Sequence, residues 1–283
     1  MEPKSYFEIL TDKINNFVNL SNPKLCILTP CYGGLCHSRY TKCLIDTILL
    51  CNQFKVKVDV HFCNNESLVQ RARNNLVGFA MLDREVSHIM FIDSDISWNA
   101  IDVLKLLVAD KEIIGGTYPK KCYRFNKIVD DSEALSRWIS IRDKEMSTLS
   151  DDDLIRNNLL DYNINLLEGN TEIQNGLMEV KHLATGFMMI KRSALEYMML
   201  KSPQKRYIDD TGFLNPKDCI YTYALFDCSI VDMHYLSEDW HFSHVARSEF
   251  NLKIYIDITI NLTHTGTEDY KGSYLTNLIC NQK

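Results

Sequence analysis

The segment His88-Ile-Met-Phe-Ile-Asp93-Ser-Asp95 constrains this chain more than any other. A short apolar run reads as a buried strand, and this one ends in two carboxylates one residue apart. Paired like charges at the tip of a buried strand need something to cancel them, and a divalent cation does so. In open α/β sheets, ligands gather at the carboxyl ends of strands, where these acids would sit. Strand residues i and i+2 point the same way, so Asp93 and Asp95 can share one hard cation such as Mg²⁺ or Mn²⁺.

The flanking sequence repeats the strand-then-helix pattern. Lys24 to Leu28 predicts a first strand, stopped by Thr29-Pro30, and Ser38 to Asn52 a helix. Val56 to Cys63 predicts the second strand. A helix opens at Asn64-Asn-Glu-Ser67 and buries Leu68, Val69, Ala72, Leu76, Phe79 and Ala80. Asn99 caps a further helix, and Glu112 to Gly115 is another strand. Strands alternating with helices imply an α/β fold whose parallel sheet is covered on both faces. Residues 121–178 break the pattern: they are polar, acidic and helical in tendency, and read as an insertion or lid. Within them, Ser150-Asp-Asp-Asp153 is a helix N-terminus, where acids complement the dipole. Strand character returns over His182 to Ile190, Tyr221 to Phe226 and Cys228 to Asp232. Ser237 opens a helix running to about Arg247, and Ile254 to Leu262 is a last strand leading to His264.

Composition narrows the class. A chain of 283 residues suits one large α/β domain, with or without an inserted subdomain. A net charge of −6 with no basic tract argues against nucleic acid as a partner. No apolar run approaches the roughly 18–20 residues of a membrane span. Met1 to Leu20 lacks a compact apolar core, so an amphipathic helix is expected there and no secretory signal. The ten cysteines form no CxxC pair and read as reduced, small hydrophobes. A cytoplasmic location follows as an expectation. The oligomeric state stays open.

Several residues could carry chemistry. His264 is the natural third metal ligand, and carboxylate plus imidazole suits Mn²⁺. Lys271 lies in the loop beyond, within reach of a phosphate. Asn64, Arg71, Arg73 and Asn74 sit at the start of a helix, where free N–H groups and guanidinium donors favour an anion. Thr29, Pro30 and Tyr32 follow the first strand; a stiff extended turn there can hold a flat base, with Tyr32 available to stack. Glu238 and Asp239 open a helix, and one of these carboxylates could act as a general base. Trp240 follows them. Neither a GxGxxG fingerprint nor a Walker lysine pattern occurs. Together these features predict a metal-dependent enzyme acting on a phosphorylated substrate.

The ordered set resembles the GT-A glycosyltransferases, the nucleotide-sugar-dependent class with a DxD motif. Leu28-Thr-Pro-Cys-Tyr32 looks like the first-strand nucleotide loop, and Ala72-Arg-Asn74 like the ARN of the helix before the metal strand. Asp93-Ser94-Asp95 is similar to the DxD, with Ser94 on the donor side. Ser237-Glu-Asp239 looks like the ED motif that holds the base of inverting members. Thr185-Gly186-Phe187 resembles the acceptor-side loop. His264-Thr-Gly266 with Lys271 looks like the HxG…K closing loop of some retaining members. In its Asn, Ile and Lys content the chain is similar to glycosyltransferases encoded by large DNA viruses, which would place it in a host cytoplasm. The match covers most of residues 22–270 and leaves 121–178 unexplained.

The resemblance implies one catalytic domain with a mostly parallel central sheet. Residues 1–20 would be an N-terminal helix, 22–120 a nucleotide-sugar half and 179–283 an acceptor half with the closing loop. It implies transfer of a sugar from a nucleoside diphosphate, UDP favoured, to a hydroxyl of a glycan or glycoprotein acceptor. Mn²⁺ or Mg²⁺ would sit on Asp93, Asp95 and His264. Thr29, Pro30, Tyr32, Asn64, Arg71, Arg73, Asn74, Ser94 and Lys271 would hold the donor. Thr185, Gly186 and Trp240 would face the acceptor and its sugar. Asp239, with Glu238, would be catalytic, implying inversion; the closing loop fits either stereochemical outcome. A retaining enzyme, a sugar-phosphate nucleotidyltransferase and a non-catalytic carbohydrate-binding protein remain as alternatives.

Overall fold

The structure, a computed structural model, describes residues 4–169 and 172–267. Helix α1 (Tyr6–Ser21) starts in a capping box between Ser5 and Glu8 and buries Leu10, Ile14 and Val18. The alternation predicted from the sequence then follows: β1 (Lys24–Cys31), α2 (Ser38–Gln53), β2 (Lys57–Asn64), α3 (Val69–Leu82) and β3 (His88–Ile92). After β3 come a short β4 (Ile96–Ser97), α4 (Ala100–Ala109) and β5 (Ile113–Gly115). Asn99 caps α4 by accepting the Ile101 N–H, as its position predicts.

The second half is β6 (Pro119–Tyr123), α5 (Asn126–Val129), α6 (Ala134–Glu145), α7 (Asp151–Leu159), β7 (Leu160–Tyr162), β8 (Ile164–Leu166) and β9 (Ile173–Gln174). It continues through β10 (Leu177–Leu183), β11 (Phe187–Lys191), α8 (Arg192–Lys201), β12 (Ser229–Val231), β13 (His234–Leu236), α9 (Glu238–Ser248), β14 (Ile254–Asp257) and β15 (Thr263–His264). Among the described residues, 121–178 hold three helices, and the Ser150 hydroxyl caps α7 as expected. The same stretch also lends two edge strands, β8 and β9, to the main sheet.

That sheet runs β2-β1-β3-β11-β5-β14-β10-β8, with β9 also paired to β10. Helices cover both faces. α3, α8 and α9 pack around Leu76, Leu195 and Phe242 on one side. α1, α2 and α4 pack around Ile14, Leu44 and Leu104 on the other. The sheet is mixed, which corrects the expectation of a mostly parallel one. Strand β1 pairs parallel with β2 and β3, and β5 with β14. The antiparallel pairings all involve β10 or β11. His182 to Ile190, expected as one strand, is broken at Ala184-Thr-Gly186. The chain changes sheet position there without turning round, so β10 and β11 both run opposite to β3, β5 and β14.

Two further expectations are corrected. Tyr221 to Phe226 is irregular apart from one bridge, Arg206 to Tyr223. The Asn74 side chain accepts the Leu225 and Phe226 N–H groups at 3.0 and 2.9 Å, replacing a neighbouring strand. The last strand stops at Asp257, whose carboxylate accepts the Thr259 N–H and hydroxyl at 2.8 and 2.7 Å in an Asx turn. His264 therefore lies on a separate two-stranded ribbon, β15 against β4.

Gly115 marks the tightest crossing. A Cβ there would fall 2.2 Å from the Phe187 carbonyl oxygen and 2.9 Å from Leu183 Cδ2. We expect Gly115→Ala to destabilise the fold by about 1–3 kcal/mol, the usual range for overpacking, as a lowered midpoint in urea at unchanged slope.

Candidate active site

The tip of β3 is held by backbone bonds from three directions. The Asp93 N–H donates to Gly186 O at 3.0 Å, the Ile96 N–H to Asp93 O at 3.0 Å and the Thr265 N–H to Asp95 O at 2.8 Å. The β15–β4 ribbon sets His264 opposite Ile96, one residue past Asp95. His264 Nδ1 lies 2.9 Å from Pro119 O and so donates to it, which leaves Nε2 facing Asp95 Oδ2 at 3.4 Å. The Tyr118 ring packs edge-on against His264 at 5.0 Å.

Arg73 is the electrostatic centre. Its side chain is 3% exposed. Nη2 donates to both Asp93 carboxylate oxygens at 3.0 and 3.2 Å, and Nε donates to Glu238 Oε1 at 3.2 Å. The guanidinium also lies over the Phe91 ring, 5.3 Å from its centroid. Burial alone would lower the Arg73 pKa, but Asp93 and Glu238 outweigh it and the group stays charged. Its place follows from α3, which buries every residue from Ala72 to Gly78. One guanidinium thus brings Asp93, at the tip of β3, to Glu238, at the start of α9.

Asp239 follows Glu238 in the first turn of α9. It accepts the Trp240 N–H at 2.8 Å and the Ser237 hydroxyl. Burial, reinforced by the Glu238 charge, pushes its pKa above the usual carboxylate range. Asp95 shows the opposite balance. Burial would raise its pKa, but His264 and Lys121 hold it down at about 2. Trp240 stacks on His182, with centroids 5.2 Å apart and planes 13° apart.

The expected donor residues divide. Pro30, Tyr32 and Ser94 line a cavity of about 290 Å³ with Asp93, Asp95 and Glu66. Tyr32 is 78% exposed there. No Lys or Arg is among the residues lining this cavity, so its described wall is acidic. Arg71 is turned into a two-point pair with Glu66, at 2.8 and 2.9 Å. The Thr29 hydroxyl is buried against the Tyr40 hydroxyl. Asn64 is exposed at the end of β2. Asn74 is spent on the 225–226 backbone. On the acceptor side, Thr185 is buried and Gly186 lies against Tyr118, where a Cβ would come within 2.5 Å of the hydroxyl. Lys271 lies outside the described residues. A groove of about 860 Å³ opens beside His264, between Lys121, Tyr123 and Arg156.

Among the described residues, no three His, Cys, Asp or Glu side chains already converge as a metal-holding group. Asp95 and His264 converge, whereas Asp93 is engaged by Arg73. Four buried side-chain atoms without a partner belong to the residues around them: Arg73 Nη1, Thr117 Oγ1, Thr185 Oγ1 and Thr265 Oγ1. Ordered water, an ion or a ligand satisfies buried atoms of this kind. Sequence reasoning missed Thr117, Tyr118, Lys121 and Thr265. The signal for the first three was a second strand tip, Gly115-Gly-Thr-Tyr118, directly after β5.

No family model matches the chain, and no curated protein matches it in sequence. Among solved structures, it is similar to A197 from STIV, with a TM-score of 0.44 and 14% identity over 86% of each chain. It is also similar to the inositol-1-phosphate CTP transferase from T. maritima, with a TM-score of 0.40 and 8% identity over 91% of this chain and 94% of the other. Likenesses this distant assign no chemistry here.

Removing Arg73 leaves Asp93 and Glu238 without their shared cation. We expect Arg73→Ala to cost about 3–5 kcal/mol in guanidinium melts, with Arg73→Lys recovering only part, since a single ammonium replaces a planar fork. A carboxyl whose folded pKa is raised loses stability as pH rises from its unfolded to its folded pKa. Asp239→Asn keeps the acceptor for Trp240 and Ser237. It should therefore melt higher than the parent at pH 7, and the gap should close as pH falls below about 4.

Proposed function

We propose that this chain is a glycosyltransferase of the GT-A type, moving a sugar from a nucleoside-diphosphate donor to an acceptor hydroxyl. The observation that carries this is the Arg73 bridge: one guanidinium touches both Asp93 at the tip of β3 and Glu238 at the start of α9, which supports reading the two ends as parts of one site. Residues 22–120 would form the donor half, 179–283 the acceptor half and 121–178 a lid.

The acidic cavity supports a cation requirement. Glu66, Asp93 and Asp95 are balanced by Arg71, Arg73 and Lys121, so an entering diphosphate adds negative charge beyond what these pairs offset, and a cation arriving with it would balance that charge. Asp95 Oδ2 and His264 Nε2 already face each other and would hold the ion, with Asp93 joining by sharing an oxygen between Arg73 and the metal; the carboxylates suit Mg²⁺ or Mn²⁺. A bound Mn²⁺ or Mg²⁺ on these residues would supply Lewis-acid charge to the leaving diphosphate.

The remaining work falls to the chain's own groups. Asp239 accepts the proton of the acceptor hydroxyl, and its raised pKa makes it a stronger base than an exposed carboxylate. The acceptor oxygen bonds to the anomeric carbon as the bond to the diphosphate oxygen breaks, and the bonding pair leaves with the nucleoside diphosphate. Attack on the face opposite the leaving group inverts the anomeric centre. Arg73 orients Asp93 and Glu238 and holds positive charge beside them. Trp240, fixed by its stack on His182, would flank the sugar. The Thr185 hydroxyl would hold a sugar or acceptor oxygen.

The test is a panel of nucleotide sugars with Mn²⁺, read by thermal shift and by release of nucleoside diphosphate. One donor should raise the melting temperature only with the metal, and EDTA should abolish turnover. Asp239→Asn should lower transfer roughly 10²–10⁴-fold while leaving nucleotide affinity in place. Pyrophosphate release would instead mark a nucleotidyltransferase, and sugar binding without metal-linked nucleotide affinity a carbohydrate-binding protein. Asp93→Ala with Asp95→Ala retaining metal-dependent turnover would overturn the assignment of the site.

A further inference from the structure

The two acids at the tip of β3 are neutralised in different ways. Asp93 is paired with Arg73, whose side chain is 3% exposed and which is tied at a second point to Glu238. Asp95 is paired with Lys121, whose ammonium lies 2.5 Å from Oδ2 and whose side chain is 41% exposed. The same Oδ2 faces His264 Nε2. The first cation is fixed by its surroundings; the second is a flexible stem with a point charge at its end.

The stem is guided. It runs against Gly266, where a Cβ would meet Lys121 Cδ at 2.8 Å and Cγ and Cε at 3.4 Å. Lys121 lines the large groove, whereas Asp93 and Asp95 line the smaller acidic cavity. Its ammonium therefore stands at the seam between the two spaces. A divalent cation entering the acidic cavity competes with Lys121 for Asp95. A cation of higher charge wins that carboxylate, and the two positive groups then repel. The released ammonium has a tethered reach around Asp95, and a diphosphate brought beside the cation is an anion within it.

We propose that Lys121 is a resident counter-ion of Asp95 that a divalent cation displaces and that then binds the diphosphate of the donor. This rests on the donor-site reading given above. The residue opposes cation binding while the site holds no nucleotide and favours nucleotide binding once the cation is in place. Cation and nucleotide are thereby coupled: each binds better in the presence of the other, by the same factor.

Calorimetry with Mn²⁺ and UDP as probes separates the two roles. Lys121→Met keeps the stem on Gly266 and removes the charge. Mn²⁺ alone should bind this variant several-fold more tightly than the parent, and UDP at saturating Mn²⁺ roughly tenfold or more weakly, in line with loss of a charge-assisted bond. Lys121→Arg, which restores a cation, should recover UDP affinity. A melting curve establishes that each variant is folded, and Lys121→Gln replaces the Met variant if that one is not. Unchanged or weaker Mn²⁺ binding in the folded neutral variant overturns the displacement, and unchanged UDP binding overturns the diphosphate role. A parent protein that binds no Mn²⁺–UDP overturns the donor-site reading, and Lys121's role with it. Parent binding with an unmoved Lys121 variant overturns only the latter.

Discussion

The buried guanidinium of Arg73 is the contact on which the site depends. It is an ion held inside the protein, so it persists only because Asp93 and Glu238 compensate it together. Asp93 comes from the sheet and Glu238 from a helix 145 residues later along the chain, which makes the pair a long-range constraint. The geometry at the tip of β3 and the entry of α9 cannot drift apart without stranding a charge. The remaining groups are placed relative to that anchor: Asp239 one residue on, Trp240 on its His182 stack, and Gly186 on the Asp93 N–H.

The first half of the fold could be read from the sequence because its signals are local. Apolar runs, a cap at Asn99 and helical spacing each need only a few neighbours to act. β3 emerges with the predicted bounds for that reason. The second half could not be read in the same way. β10 and β11 look like one strand because nothing local reports a change of sheet position; only their partners β14, β3 and β5 distinguish them. Tyr221 to Phe226 has strand composition, yet its backbone is satisfied by Asn74, a side chain far off in sequence.

The same division holds in the site. Asp93, Asp95, His264 and Glu238 stand out by residue type and position, and the structure sets them against one another and against Arg73 and Lys121. What spacing does not convey is which acid pairs with which base. Arg71 and Arg73 look equivalent in sequence, two residues apart on one helix. One is drawn to Glu66 near the surface and the other is buried beside Asp93. Helical geometry turns residues two apart to different sides, and burial then decides their roles.

The ribbon between β4 and β15 has a consequence for synthesis. Asp95 emerges from the ribosome long before His264, and the two are joined by the ribbon pairs Thr263 with Ser97 and His264 with Ile96 and by the Thr265 N–H on Asp95 O. A growing chain can lay down β1, β2 and β3 while the imidazole that completes the strand tip is still untranslated. The tip of β3 would therefore stay open in a nascent chain and be closed over only when residue 264 reaches the folded body.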